Sequence, residues 1–178
     1  MDGRLHIPGI QWSPMRLGRG SVIGKHVKLG RNVKIWNLAY IGDHSVIGDD
    51  VVIGSLAHID YKVTIGRGTH VQGLVYIAPL SRIGSNVFIG PGAMLTNDPY
   101  PPSKRLVGVV IEDEAVIGAG AVIRAGVTIG RRAVVGMGSV VLDDVPPETV
   151  VAGVPARKLY SRSEYDRRRE MWESSQPT

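Results

Sequence analysis

The sequence predicts an all-β protein, a solenoid of short strands wound through about six to seven coils, with an extruded loop and a short C-terminal α-helix. Three observations carry that prediction. From Leu17 a large aliphatic residue returns every six positions through Ile23, Leu29, Ile35, Ile41, Ile47, Ile53, Ile59, Ile65, Val71, Ile77, Ile83 and Ile89 to Leu95, and the register resumes at Ile111, Ile117, Ile123, Ile129, Val135 and Val141. Two residues before most of these stands a small or β-branched residue, such as Ser45, Ala57, Val63 or Ala121, and one residue after many of them stands a glycine. The 178 residues include 24 Val and 16 Ile but only 6% aromatics, a strand-rich composition whose interior aliphatic side chains fill.

A period of six fits neither the 3.6-residue turn of an α-helix nor simple alternation along a long strand. Three hexads per triangular coil place residues 18 apart on top of one another. Each coil then pairs its backbone with the coils above and below, and only the two ends leave strand edges open. Burying each Val or Ile contributes about 1.5 to 3 kcal/mol before chain entropy is charged, so such a column needs no aromatic core.

The elements follow in order. Residues 1–16 form an N-terminal segment with Pro8, Gly9 and Pro14 and no apolar run of a signal sequence, and no stretch approaches the roughly 18 apolar residues of a membrane span. The expectation is a cytoplasmic protein with no membrane role. The solenoid domain covers 17–156. Its register breaks between Leu95 and Ile111, so about ten residues leave the coil, and the excursion 96–108 carries Asn97, Asp98, Pro99, Tyr100, Pro101, Pro102, Lys104 and Arg105. Asn, Asp and Pro set turns. A loop that leaves a regular solenoid is where chemistry is expected, the alternative being a loop that clasps a neighbouring subunit.

After the loop, residues 116–123 repeat at 134–141, which stacks Gly118 on Gly136 and Gly120 on Gly138. That corner strip lets an extended ligand approach the backbone, although corner glycines also serve simply as turn residues. Residues 157–178 are read as a C-terminal helix and tail. Ser163 with Asp166 forms a capping-box-like start, and Tyr165, Arg169 and Trp172 share one helical face, so the helix is expected from about Arg162 to Ser174.

Composition excludes several function classes. With no Cys there are no disulfides, thiolate metal sites or Cys nucleophiles. A net charge of +5 suits an anionic small molecule and falls short of a nucleic-acid binder. The histidines His26, His44, His58 and His70 all point outward in this register. His70 is the best functional candidate among them, one coil below Phe88 and close to Gln72, where a neighbouring subunit could complete a pocket.

The hexads from Leu17 to about Pro155 resemble the left-handed parallel β-helix of the hexapeptide-repeat fold; the hand is what the resemblance implies. The stretch Asp144-Val145-Pro146-Pro147-Glu148-Thr149-Val150-Val151-Ala152-Gly153-Val154-Pro155-Ala156-Arg157-Lys158 resembles the closing coil of hexapeptide-repeat acyltransferases. That resemblance implies acetyl-CoA as cosubstrate, its pantetheine arm along Gly118, Gly120, Gly136 and Gly138, and its phosphates near Arg157 and Lys158, since a polyphosphate needs cations. The segments 34–41 and 87–101 resemble enzymes that N-acetylate nucleotide-linked amino sugars, closest to those acting on a UDP-linked 2-acetamido-3-amino-glucuronic acid. One departure stands out: where that group carries a Gln-Asn-Asn run, this chain has Gln72-Gly73-Leu74.

The implied chemistry is attack of a sugar amine on a thioester. In the sugar O-acetyltransferase branch a Thr-x-His-Pro run supplies a catalytic His, and Thr96-Asn97-Asp98-Pro99 puts Asp98 in that slot. Asp98, Asn97 and His70 are the catalytic candidates, with Gln72, Tyr100, Lys104 and Arg105 as substrate contacts. An amine already partly neutral needs positioning more than a base, and Asp98 ahead of Pro99 also suits an Asx turn. The resemblance further implies a homotrimer with sites between subunits and no metal. The γ-type carbonic anhydrases share the fold but need a His-x4-His pair, which this sequence lacks. The remaining alternatives are another hexapeptide-repeat O-acyltransferase acting on a small sugar or amino-acid acceptor, and a non-catalytic β-helix assembly subunit.

Overall fold

A computed structural model of the chain describes residues 16–175. The expected N-terminal segment, apart from Arg16, and the last three residues of the tail lie outside the described residues. The hexads form two-residue parallel strands on three faces. On the first face, eight parallel strands run from Arg16–Leu17 through Lys34–Ile35, His70–Val71 and Val134–Val135 to Thr149–Gly153, and a ninth, Ala156–Ser161, joins antiparallel. The second face holds seven strands from Val22–Ile23 to Val140–Val141, and the third six from Lys28–Leu29 to Thr128–Ile129, extended by a bridge from Ile129 to Val145. The stack is thus a coil longer than the sequence pattern suggested. Its register continues at Val145 and Val151, past the point where Asp143, Asp144 and two prolines obscure the hexads.

Each hexad contributes two strand residues, one inward and one outward, and then a four-residue corner. The inward Ile, Leu and Val from Ile35 to Val141 are buried, as are the small residues Ala39, Ala57, Ala93, Ala115, Ala121 and Ala133 that let the chain turn. Where the small residue is hydroxylic, its buried oxygen is satisfied. Ser45 Oγ donates to the Asp60 carbonyl at 2.9 Å, and Thr69 Oγ1 donates to the Gly84 carbonyl at 2.8 Å. Acidic corner residues cap the coil before them: Asp43, Asp49 and Asp113 accept from the backbone N–H of Lys25, Arg31 and Ser85 at 2.7 to 2.8 Å. Unpaired backbone donors at the turns are satisfied in this way.

The loop emerges as expected. Arg82 pairs with Thr64 in the coil before it and with Val110 in the coil after it, so the whole excursion leaves the coil without disturbing its register. At the C-terminus the structure corrects two expectations. Residues 157 and 158 are not the start of a helical segment but part of the strand Ala156–Ser161, which folds back on Thr149–Gly153. The helix does run Arg162–Ser174, but its N-cap is Ser161, whose side chain accepts from Glu164 N–H at 3.3 Å. Ser163 is already inside the first turn. Ser161 stands in extended conformation at the end of a strand, so its oxygen and not that of Ser163 can reach back to the free N–H groups.

Arg162, which no sequence motif singles out, is buried at this junction. It pairs with Asp166 at 2.9 Å and donates to the Arg132 carbonyl at 2.9 Å, while Arg132 bridges Glu114, Glu148 and Asp166. This network ties the helix to the corner between the third and first faces. Of the expected helical face, Tyr165 is half-buried under the Arg162 guanidinium, whereas Arg169 and Trp172 are exposed.

Candidate active site

The corner between the first and second faces changes character along the molecule. Its third residue has left-handed backbone throughout, beginning with Gly20 at φ +70. Leu38, Leu56 and Leu74 occupy it at φ +59 to +62, then Gly92, Gly120 and Gly138 at φ +65 to +69. A Cβ placed on any of those three glycines would meet no atom within 4 Å. Gly118 and Gly136 are glycine for a different reason: a Cβ on Gly118 would collide with the backbone of Gly136 and Met137, and one on Gly136 would lie 2.7 Å from Ala152 Cβ. The expected strip therefore resolves into two columns. Gly118 and Gly136 let the coils touch; Gly120 and Gly138, joined by Gly92, leave open space beside the backbone. Gly92 escapes the sequence reading because the loop intervenes, setting it one coil plus the excursion before Gly120.

The packed column ends at Arg157, which lies opposite Ala152, with Lys158 opposite Val151. Both are exposed and lie beside Asp143, Asp144 and Thr149 in an end cavity of about 220 Å³. Arg157 donates to the neighbouring Ala156 carbonyl at 3.0 Å. No ion pair holds either cation among the described residues.

The loop springs from the corner between the second and third faces. Its base is closed by Val107 N–H donating to the Asn97 carbonyl at 2.8 Å. Asp98 organises what lies between. Its carboxylate accepts from Ser103 N–H at 2.7 Å, from the Ser103 hydroxyl at 2.8 Å and from Tyr100 N–H at 3.0 Å. Desolvation acts to raise its pKa, but these hydrogen bonds from Ser103 and Tyr100 together outweigh it and hold the carboxyl below the usual carboxylate range. The Tyr100 contact is an Asx turn. Tyr100 itself is 75% exposed and touches Arg124, whose Nη2 donates to its hydroxyl at 3.4 Å. Lys104 and Arg105 are exposed on the same loop. Arg124, on the coil that follows the loop's root and unremarked in the sequence, adds a third cation there.

These arrangements stand on a fold that is found in known proteins. Residues 44–79 and 108–143 match the family described as bacterial transferase hexapeptide (six repeats). Among curated relatives, 2,3,4,5-tetrahydropyridine-2,6-dicarboxylate N-acetyltransferase of Brevibacillus brevis is 53% identical over 68 residues, which are 38% of this chain and 28% of that protein. Among solved structures, PerB from Caulobacter crescentus, in complex with CoA and GDP-perosamine, is 27% identical with a TM-score of 0.56, over 82% of this chain and 57% of that one. The acetyltransferase domain of PglB from Neisseria gonorrhoeae, in complex with acetyl coenzyme A, shares the fold at 24% identity and a TM-score of 0.55, over 83% of this chain and 58% of that one.

On this three-faced β-solenoid the expected site residues fall into separate groups. The glycine corner and the loop flank opposite edges of the second face. His70 points outward from the first face, in a shallow cavity of about 370 Å³ with Asn32, Lys34, Asp50 and Val52. Gln72 begins the glycine-bearing corner two residues later and is half-buried. One chain therefore does not bring His70 and Asp98 onto one face. Among the described residues no group of three His, Asp or Glu side chains is placed to hold a metal ion, and no helix is long and apolar enough to cross a membrane.

Proposed function

We propose that the protein is an N-acyltransferase that moves acetyl from acetyl-CoA to the amine of a nucleotide-linked amino sugar. The observation that carries this reading is the open column Gly92, Gly120 and Gly138 beside the packed column that ends at Arg157. It lies on a fold that PerB presents in complex with CoA and GDP-perosamine. A pantetheine arm lies along the open glycines, where side chains would obstruct it. Its phosphates reach Arg157 and Lys158, two exposed cations without an ion-pair partner among the described residues.

Each loop residue has a role in this reading. Asp98, whose carboxylate is already engaged by three donors, braces the loop and does not act as a base. Asn97 closes the loop's base through its carbonyl. Tyr100, Lys104 and Arg105, with Arg124 behind Tyr100, present a hydroxyl and three cations to the acceptor's nucleotide phosphates. Gln72, at the start of the glycine corner, supplies an amide to the acceptor. His70 faces away from the loop of its own chain and contributes only across a subunit boundary, which accords with a homotrimer whose sites lie between copies. No metal is needed, because attack of a neutral amine on a thioester is driven by positioning and proton removal.

The acceptor has a second reading, a tetrahydropyridine-type dicarboxylate, favoured by the name of the Brevibacillus brevis relative. The sugar is preferred because the likeness to PerB extends over 82% of the chain, against 38% for that relative. The test is release of CoA thiol from acetyl-CoA, with UDP-, GDP- and dTDP-amino sugars and the dicarboxylate as separate acceptors. Amino-sugar-dependent release is expected; release with the dicarboxylate alone would reassign the acceptor.

A further inference from the structure

Residues 16–42 carry Arg16, Arg19, Lys25, Lys28, Arg31 and Lys34 and no acidic residue, whereas the other 15 Lys and Arg of the chain are outnumbered by the 16 Asp and Glu. The whole positive excess of the protein therefore belongs to the first coil and the strand that follows it. All six residues are exposed. They encircle the end of the solenoid: Arg16 and Lys34 on the first face, Arg19 and Lys25 at the next two corners, Lys28 on the third face and Arg31 at the last corner. Among the described residues only Arg31 has an ion pair, to Asp49 at 2.7 Å. Asp43, the nearest other carboxylate in sequence, is engaged by the Lys25 backbone N–H at 2.8 Å. Arg16 and Lys34 stand in direct register on adjacent strands, a like-charge contact that weakens the pairing and that an external anion would relieve. The same coils expose Val22, Trp36 and Leu38, and the Arg16 guanidinium lies 4.8 Å from the centre of the Trp36 ring.

We propose that this end of the solenoid docks on a phospholipid surface rich in anionic headgroups, an inference independent of the acetyl-transfer reading. The expectation of no membrane role rested on the lack of an apolar span, and a surface contact requires none. Cations spread around the rim of one coil suit a plane of separate, mobile phosphates, each of which can move to meet its own Lys or Arg. Trp36 and the exposed aliphatic tips beside it suit the headgroup layer, where amphipathic rings settle. A nucleic acid fits less well. Only Arg16 and Lys34 share a face, so no row of cations follows a phosphate backbone, and one side of the Trp36 ring is already taken by Arg16. The far end of a second copy is no better partner, because from Asp143 onward seven Asp and Glu stand against six Lys and Arg and offer no anionic surface.

The test is co-flotation of the full chain with phosphatidylcholine vesicles, with and without phosphatidylglycerol, across a salt series. Binding is expected only where phosphatidylglycerol is present, and it should weaken as salt rises. A cation near an anionic bilayer is worth about fivefold in partitioning, so joint replacement of Arg19→Gln, Lys25→Gln and Lys28→Gln is expected to lower vesicle binding by roughly 10²-fold. The thermal midpoint by circular dichroism verifies that this variant is folded; should it not be, Lys28→Gln alone is expected to lower binding about fivefold. Arg167→Gln with Arg169→Gln, on the charge-paired C-terminal helix, is the control and should leave vesicle binding unchanged. No binding to phosphatidylglycerol vesicles, equal binding to phosphatidylcholine alone, or undiminished binding by the folded first-coil variant would each overturn the proposal. A single-stranded oligonucleotide held more tightly than the vesicles at equal salt, and released by the same variant, would overturn it in favour of a nucleic-acid site.

Discussion

Among single residues, Asp98 and the corner glycines separate structure from chemistry most sharply. Asp98 is ionised throughout the neutral range, its pKa held down against desolvation by the hydrogen bonds from Ser103 and Tyr100. A group whose folded pKa is depressed lends stability above its unfolded pKa and loses it as pH falls through the folded value, so the loop stays braced at neutral pH and loosens only in acid. Asp98→Asn is therefore expected to raise KM for the acceptor while the shape of the pH–rate profile is kept; loss of a limb of that profile would instead make Asp98 a base. Gly120→Val places a β-branched side chain at φ +65 in open space. It is expected to cost about 1 to 2 kcal/mol of stability, seen as a lowered thermal midpoint, and to weaken CoA binding at least tenfold by calorimetry. Gly118→Val gives no such separation, because its side chain would strike Gly136 and Met137 and disrupt the coil. The sequence showed these glycines one coil apart but could not divide them into a packed and an open column, since that depends on which way each Cα–Cβ vector points.

Among the elements, the C-terminal helix is held by charge more than by apolar packing. Arg162 is buried and its pairing with Asp166 is the contact that anchors the first turn. Desolvation pushes the Asp166 carboxyl up, but the Arg162 hydrogen bond and the charges of Arg162, Arg169 and Arg132 outweigh it and lower its pKa. By the same sign rule, this contribution is complete at neutral pH and is lost on acidification below the ordinary carboxylate range. Asp166→Ala is expected to cost about 3 kcal/mol, the penalty of leaving Arg162 buried without its carboxylate, and hydrogen exchange should show the helix opening while the coils remain protected. Equal loss of protection in the coils would mean that the helix and solenoid unfold as one unit. The helix span was legible from its polar periodicity. Its cap was not, because Ser161 and Ser163 are equivalent in sequence until the preceding strand fixes which of them has extended backbone.

At the level of the whole molecule, a hexad repeated with few faults left little choice of fold. A register that breaks at Leu95 and resumes intact at Ile111 can do so only if successive coils are already paired, and Arg82 with Val110 is that pairing. The closing turns were less legible, because Val145 and Val151 keep the stack while Pro146, Pro147 and the antiparallel strand Ala156–Ser161 break the sequence pattern. The site was the least legible part. The candidate residues lie at two separate corners, and a linear register says which residues stack but not that the glycine column and the loop flank opposite edges of one face. The central claim is acetyl transfer to a nucleotide-linked amine, and thiol release from acetyl-CoA across a panel of UDP-, GDP- and dTDP-amino sugars tests it most directly, the protein having no cysteine to contribute background. The account predicts saturable release that requires one of those amino sugars. No acceptor-dependent release, together with no CoA binding by calorimetry, would contradict it and leave a β-solenoid that only assembles.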